Sequence, residues 1–425
     1  MNERNSPAIQ TMNVLPNSKV LCWPWIPVLL FTLIGSSAAA QTRSATARPY
    51  AAMNPNAVYY FGTGGRSAHD LRGPHVTIGM MLPLRGPFAA EGKSLLQAAQ
   101  LALDEENKTP LPDGQRLALA VRDESGPWGQ ASDEIVHLIF DDNAVAIVTS
   151  PDGAIAHQAE QVANKIGVPV VTLASDVTTT QINMPWIFRL GPSDRDEALA
   201  FARDIYAKHG RRNVLLIAEA DHDGRAGSAE FERAAQELGA PAPLRVNLPL
   251  SPAGAASFAP ALKPGATDAI VLWSDAEVAA ELIPRIRETL PHTPIYLCRK
   301  AAEFVAPIEK GKFVLAQPMA NDPQMWISAS RLGTAPSGSQ RQFEQEFLAR
   351  AGIKPSEADA AIYDAVHVIA SALRRAGSNR VRVRDVLASG RTVKGATGTI
   401  SFDAAGNERG RMTVIPYAGG FDQRP

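Results

Sequence analysis

From Val76 onward the chain alternates short apolar runs with longer helical ones, and this alternation limits the possible folds more than any other feature. Strand-like runs fall at 76–82, 117–121, 145–149, 169–173, 214–218, 269–273, 294–297 and 313–316, with helical runs at 94–106, 131–140, 154–166, 196–209, 226–238, 276–289, 340–351 and 358–375. Within 196–209, Ala198, Phe201, Ala202, Ile205 and Tyr206 recur at helical spacing and would cover one face of a sheet. Strands separated by helices of this length imply a mostly parallel sheet with helices on both sides. This many strands need two such sheets. Near the C-terminus 399–402 and 412–417 read as a late hairpin around a turn at 403–406, far along the chain from the strands it must join.

The first strand, turn and helix form the most suggestive local pattern. Val76, Ile78, Met80 and Leu82 alternate, and Gly86, Pro87 and Gly92 punctuate the exit into the helix. Open α/β sheets bind small molecules at the carboxyl ends of their strands, where helix N-termini and free backbone amides converge. The pattern is generic, so it locates a binding edge without naming a ligand.

The first forty residues read as an export signal. Lys19 precedes the apolar run 20–34, which contains Pro24 and Pro27, and Ala38, Ala39 and Ala40 supply a small-residue cleavage site. A membrane span needs ~20 apolar residues, so export with cleavage after Ala40 is the expectation, with an uncleaved membrane anchor as the alternative. Residues 41–74 form a flexible or loosely docked lead-in. The net charge of −1 offers no bulk attraction to nucleic acid or to an anionic membrane. Of the two cysteines, Cys22 goes with the signal and Cys298 stays, so no internal disulfide can form. Stability must come from core burial, and the remaining length suits two domains.

An ordered series of segments carries a family resemblance: IGMMLPLRGPFAAEG at 78–92, GVPVVTLAS at 167–175, DAIVLWSDAEVAAELIPRIRE at 268–288, YDAVHVIASALRRAG at 363–377 and GATGTISFDAAGNERG at 395–410. Over about residues 75–420 the chain resembles the type I periplasmic solute-binding proteins of the branched-chain amino acid (leucine/isoleucine/valine) class. The resemblance implies an α/β fold of two doubly wound, Rossmann-like lobes joined by three hinge segments, with ligand held between them. The hinges would lie near Gly191, Gln317 and Gly395. Lobe one would hold 75–191 plus 319–395, and lobe two 192–318 plus 396–425. The lobes would close on a small-molecule ligand, and the closed form would be read by the membrane permease of an ABC importer.

The resemblance also points to site residues. A loop after the third strand that meets a ligand carboxylate corresponds to Ser150, Asp152, Gly153 and Ala154, with Asp152 either touching ligand or capping the next helix. After the fourth strand come Ala174, Ser175 and Asp176, where a carboxylate replaces an expected hydroxyl. In lobe two an expected aromatic falls near Asp223, followed by Arg225, and another falls at Asp275. Where amino acid binders place an acid for the ligand ammonium, this chain has Cys298, Arg299 and Lys300. Arg85, Arg225 and Arg299 would suit an anionic group, and Asp176 and Asp275 hydroxyls or a cation. A buried ammonium without a counter-charge costs several kcal/mol, so an ordinary branched-chain amino acid is not the expected cargo.

Catalysis finds no support, since no GxSxG, HExxH, Walker or GxGxxG pattern occurs in a strand-to-helix context. The glycine-rich run 61–65 has no flanking strand and helix. No cofactor is implied. Asp221, His222 and Asp223 are metal-ligand types, but three adjacent side chains cannot all face one ion. His137, His157, His209 and His367 fall in helices as surface or satisfied core groups. Two functions remain open at this level: a transport-linked binding protein, or a sensory module of the same fold that signals by lobe closure.

Overall fold

The structure, a computed structural model, describes residues 69–127, 129–181, 185–249, 258–302, 322–329, 337–408 and 412–417. The signal segment, most of the lead-in, the glycine-rich run 61–65, the strand expected at 313–316 and the hinge expected near Gln317 lie outside them.

The chain begins with β1 (His75–Leu82), α1 (Ala89–Glu106), β2 (Arg116–Asp123), α2 (Gln130–Phe140), β3 (Ala146–Thr149), α3 (Gly153–Ile166), β4 (Val170–Thr172), a short α4 (Thr178–Gln181) and β5 (Ile187–Arg189). The five strands are parallel, in the order β2-β1-β3-β4-β5. Because side chains alternate along a strand, Val76, Ile78, Met80 and Leu82 enter one core, while Met81 enters the core on the opposite face. Gly79 also faces that side, where an added Cβ would lie 3.1 Å from Ala144. Asp152 caps α3 by accepting from the Ile155 amide at 3.0 Å, and Gly167, with φ of 82°, ends it in the left-handed conformation that glycine adopts without strain.

A second sheet follows. Its elements are α5 (Asp194–Ala202), which continues as a π-helical stretch (Arg203–Lys208), then β6 (Val214–Glu219), α6 (His222–Glu237), β7 (Leu244–Leu248), β8 (Ala269–Trp273), α7 (Ala276–Thr289), β9 (Ile295–Leu297), a short α8 (Arg299–Ala302) and β10 (Met325–Ala329). The chain returns through α9 (Gly338–Ala351), α10 (Glu357–Ala376), α11 (Arg380–Leu387), β11 (Val393–Lys394) and β12 (Thr399–Ile400), and ends in β13 (Thr413–Pro416). The second sheet runs β13-β10-β9-β8-β6-β7, parallel except for β13. Both sheets share one winding: the first strand has the second on one side and the third, fourth and fifth on the other.

Two of the expected lobe boundaries need correction. Met325–Ala329 pairs with β9, so this segment belongs to lobe two, not lobe one, and the second crossing falls after Ala329. The third crossing is also later than Gly395. Phe402 packs on Phe188 with ring centroids 5.2 Å apart, and the Arg189 amide donates to the Gly406 carbonyl at 2.8 Å, so 396–408 stays on lobe one. The expected late hairpin is therefore not a hairpin, because β12 pairs with β11 whereas β13 pairs with β10 in the other sheet. The turn between them exists, with the Gly406 amide donating to the Asp403 carbonyl at 3.1 Å. At the first crossing, 190–193, Ser193 and Asp196 form a reciprocal capping box that starts α5 as the chain enters lobe two. The end of the lead-in is tied down, since the Leu71 amide donates to the Ser378 carbonyl at 2.8 Å.

Candidate functional site

The carboxyl ends of the two sheets face one another across a cavity of about 360 Å³. Lobe one contributes Leu173 and Ser175 after β4, Leu190 to Pro192 after β5, and the start of α10. From lobe two come Glu219 and Asp221 after β6, Trp273 to Asp275 after β8, and Cys298 to Lys300 after β9. This is the crevice where doubly wound sheets gather helix N-termini and loop amides. The lobes touch across it. The Gly153 amide of lobe one donates to Asp223 Oδ1 of lobe two at 3.1 Å, and His222 of lobe two meets Asp176 of lobe one at 2.7 Å.

Four of the twelve site residues expected from sequence line the cavity: Ser175, Asp223, Asp275 and Arg299. The others are placed elsewhere, each for a visible reason. Arg85 is exposed and paired with Asp123. Arg225 is exposed and donates to the Ala220 carbonyl. Ser150 is buried, its hydroxyl turned to Glu124 at 2.5 Å. Asp152 is the α3 cap, and Ala154 lies in the first turn of that helix. The Gly153 amide is already occupied by Asp223. Ala174 is buried, its amide donating to Thr172 at 3.1 Å. Asp176 is buried away from the cavity and receives Nε2 of both His157, at 3.0 Å, and His222.

The inverted charge expected at Cys298, Arg299 and Lys300 is also corrected. Lys300 Nζ lies 2.8 Å from Asp275 Oδ1 and 3.2 Å from Asp223 Oδ2, and the Arg299 guanidinium lies 4.0 Å from Glu357. The basic pair is neutralised by the acids around it.

A family model described as periplasmic binding protein matches residues 75–415. The chain belongs to the periplasmic binding protein family. A Leu/Ile/Val-binding protein of Rhizobium johnstonii is 26% identical over 144 residues, which is 33% of this chain and 39% of that relative's length. Among solved structures, the branched-chain amino acid transporter substrate-binding protein of Streptococcus pneumoniae, in complex with isoleucine, superposes with a TM-score of 0.71 at 21% identity. It covers 82% of this chain and 98% of its own. An ABC transporter solute-binding protein of Rhodopseudomonas palustris in complex with 3,4-dihydroxybenzoic acid gives 0.69 at 17% identity, covering 81% and 93%. The two structural likenesses each cover about four-fifths of this chain.

The cleft of this periplasmic binding protein is acidic. Among the described residues, nine carboxyl side chains and three cationic ones line it. Sequence reasoning missed Asp194, Glu197 and Glu219, and it left Lys300 out of the site. Asp194, the first residue of α5, is 2% exposed, and burial, opposed by a hydrogen bond from Ser175 and the charge of Arg299 but reinforced by Asp223 and Glu197, pushes its carboxyl up to about 7. Its Oδ2 has no hydrogen-bond partner among the described residues. Burial likewise lifts Glu219 to about 7, opposed by a hydrogen bond from the Asp275 amide at 2.5 Å. Lys300 also moves up, but from charge and not from burial. Desolvation would lower it, but the charges of Asp223 and Asp275 hold it well above the ordinary lysine range. Trp273 of β8 and Phe343 and Leu348 of α9 add apolar surface to the lining. The signal that could have found Asp194 is the Ser-Asp-Arg-Asp run at 193–196, where one aspartate closes the capping box and leaves the other unexplained.

Proposed function

We propose that this chain is the extracytoplasmic solute-binding protein of an ABC importer, and that its cargo is a small molecule carrying a protonated amine on a partly apolar body. The family assignment and the cleft support capture without catalysis. The observation that carries the choice of cargo is the unpartnered Oδ2 of Asp194 inside a cavity rich in carboxylates. A cation placed there satisfies an acceptor that otherwise costs about 1–3 kcal/mol to leave unpaired. An ordinary zwitterion such as leucine fits less well. The helix-start amide that would receive its carboxylate is held by Asp223, and the Ser150 hydroxyl is turned to Glu124. The Asp223 carboxylate thus stands where a ligand carboxylate would go.

The lobes close because a guest that touches both stabilises the shut form over the open one. The export signal would deliver the protein to the periplasm, where the shut form meets its permease. No helix of the described residues is long and apolar enough to cross a membrane.

A thermal-shift screen at neutral pH tests this reading with cationic amino acids, aliphatic and aromatic amines, leucine, benzoate and polyols. Cargo at ~100 times its dissociation constant adds about 2.7 kcal/mol of stability, and the amines should supply it. A large shift with leucine or benzoate, with none from any amine, overturns the choice of cargo. Unchanged uptake of the identified amine on deletion overturns the transport role.

A further inference from the structure

We propose that His157, Asp176 and His222 form a binding site for a divalent transition metal ion, with zinc the best match, which fastens the two lobes together. His157 lies on α3 and Asp176 in the loop after β4, both in lobe one. His222 is the first residue of α6 in lobe two. Their donor atoms converge: His157 Nε2 is 3.0 Å and His222 Nε2 2.7 Å from Asp176 Oδ2, and all three lie within 4.8 Å of one another. The imidazole rings stand at 71° with centroids 5.5 Å apart, so they approach the carboxylate from different directions. Two imidazole nitrogens and one carboxylate oxygen are a donor set that zinc takes, leaving a fourth position for water. Tetrahedral bonds of about 2.0–2.1 Å hold donors about 3.3 Å apart, so each histidine nitrogen would move about 0.3–0.6 Å away from Asp176 Oδ2 while the two nitrogens, within 4.8 Å of one another, settle to the same spacing. The ion would displace the Nε2 protons to solvent and take their place between ring and carboxylate.

The surroundings are those of a built site. Glu160, 2% exposed, lies 3.2 Å from His157 Nδ1 and would fix that ring with Nε2 turned to the ion. Its other oxygen has no partner among the described residues. The Thr178 amide and hydroxyl, each at 2.8 Å, hold Asp176 Oδ1, leaving Oδ2 to face the histidines. Both histidines are partly exposed, so an ion reaches them from solvent. None of the three lines the cargo cavity. Because one of the three ligands comes from the opposite lobe, the complete set exists only when the lobes are shut. The ion and the cargo would therefore raise each other's affinity by the same factor.

The test uses the untagged, secreted chain after chelator treatment, with no cargo present. Titration with zinc against a chromophoric chelator should give one ion per chain. Cobalt should produce the visible absorption of a tetrahedral nitrogen and oxygen site, and small-angle scattering should show the chain contracting as metal is added. His222→Gln should weaken zinc binding at least about 100-fold and abolish the contraction, and Glu160→Gln should weaken binding about 10–100-fold. Both variants should keep the wild-type far-UV spectrum; His157→Gln provides the alternative if His222→Gln does not fold. Failure to bind micromolar zinc, binding without the cobalt spectrum, or equal affinity in His222→Gln overturns the proposal. Because no cargo is used, these outcomes stand apart from those of the amine screen.

Discussion

Replacing Asp194 by asparagine removes a proton from the thermodynamics while keeping the shape, and the size of the effect follows from the structure. The carboxyl is 2% exposed and held protonated up to about 7, whereas in the unfolded chain it titrates at its ordinary value of 3.8. A folded state that keeps its proton to higher pH than the unfolded chain loses stability as pH rises between those two values. From pH 5 to pH 8 the wild type should lose about 2.5 kcal/mol through this one group, at 1.36 kcal/mol for each pH unit below about 7. The introduced amide cannot ionise, so the variant escapes that loss. Other buried acids, Glu219 and Glu124 among them, titrate in both proteins and largely cancel in the difference. Urea denaturation of cargo-free wild type and Asp194→Asn at pH 5 and pH 8 gives the comparison directly. The variant should gain on the wild type by about 2.5 kcal/mol as pH rises. A stability difference that stays constant within error across that range refutes the picture of a buried neutral acid waiting for a cation. The same substitution should weaken binding of an amine cargo, most strongly at pH 8, where the wild-type carboxylate is ionised without help from the guest.

Three structural substitutions probe the frame around the cleft. Ser193→Ala removes half of the capping box at the first crossing and should cost about 1 kcal/mol in urea denaturation, against no change if the box is incidental. Gly227→Ala places a methyl 1.9 Å from Trp273 Nε1, so it should destabilise by about 1–3 kcal/mol and shift the tryptophan emission; unchanged fluorescence would show that α6 moves away freely. Asp364→Ala strips the buried acceptor from the Ala396 amide at 2.6 Å and the Thr397 amide at 2.8 Å and should cost about 2 kcal/mol or more, while wild-type stability would mean that water replaces the carboxylate.

The layered architecture was legible because its strands are buried on both faces and therefore read as unbroken apolar runs; 269–273, for example, coincides with β8. Two elements escaped because this logic fails for them. β7 is an edge strand with Leu244 exposed, and its sequence LRVNL lacks the apolar run that marks the central strands. α11 reads RVRVRDVL, a period of two that suggests a strand rather than a helix. It forms a helix because Asn379 caps it and because tertiary contacts use its arginines: Arg380 donates to the carbonyls of Ala144 at 2.9 Å and Ile139 at 3.0 Å, closing the end of α2. Such partners lie more than two hundred residues away and leave no local trace.

The same distinction separates what could and could not be read of the site. Sequence order locates the loops at the carboxyl ends of strands, and Ser175, Asp223, Asp275 and Arg299, which the family resemblance singled out, lie in such loops. It does not say which way a charged side chain turns, and that depends on groups brought in from other strand ends or from the opposite lobe. Lys300 reads as an isolated positive charge next to Arg299, yet two carboxylates from different strand ends surround it, Asp223 after β6 and Asp275 after β8. Asp176 reads as a cargo contact, yet a histidine from lobe two holds it outside the cavity. Both of these misreadings concern a residue whose partner is brought to it across the cleft or across the sheet. Closure therefore decides the chemistry of this protein as much as composition does: it uses Asp223 and Asp176 to tie the halves together and leaves Oδ2 of Asp194 without a hydrogen-bond partner among the described residues.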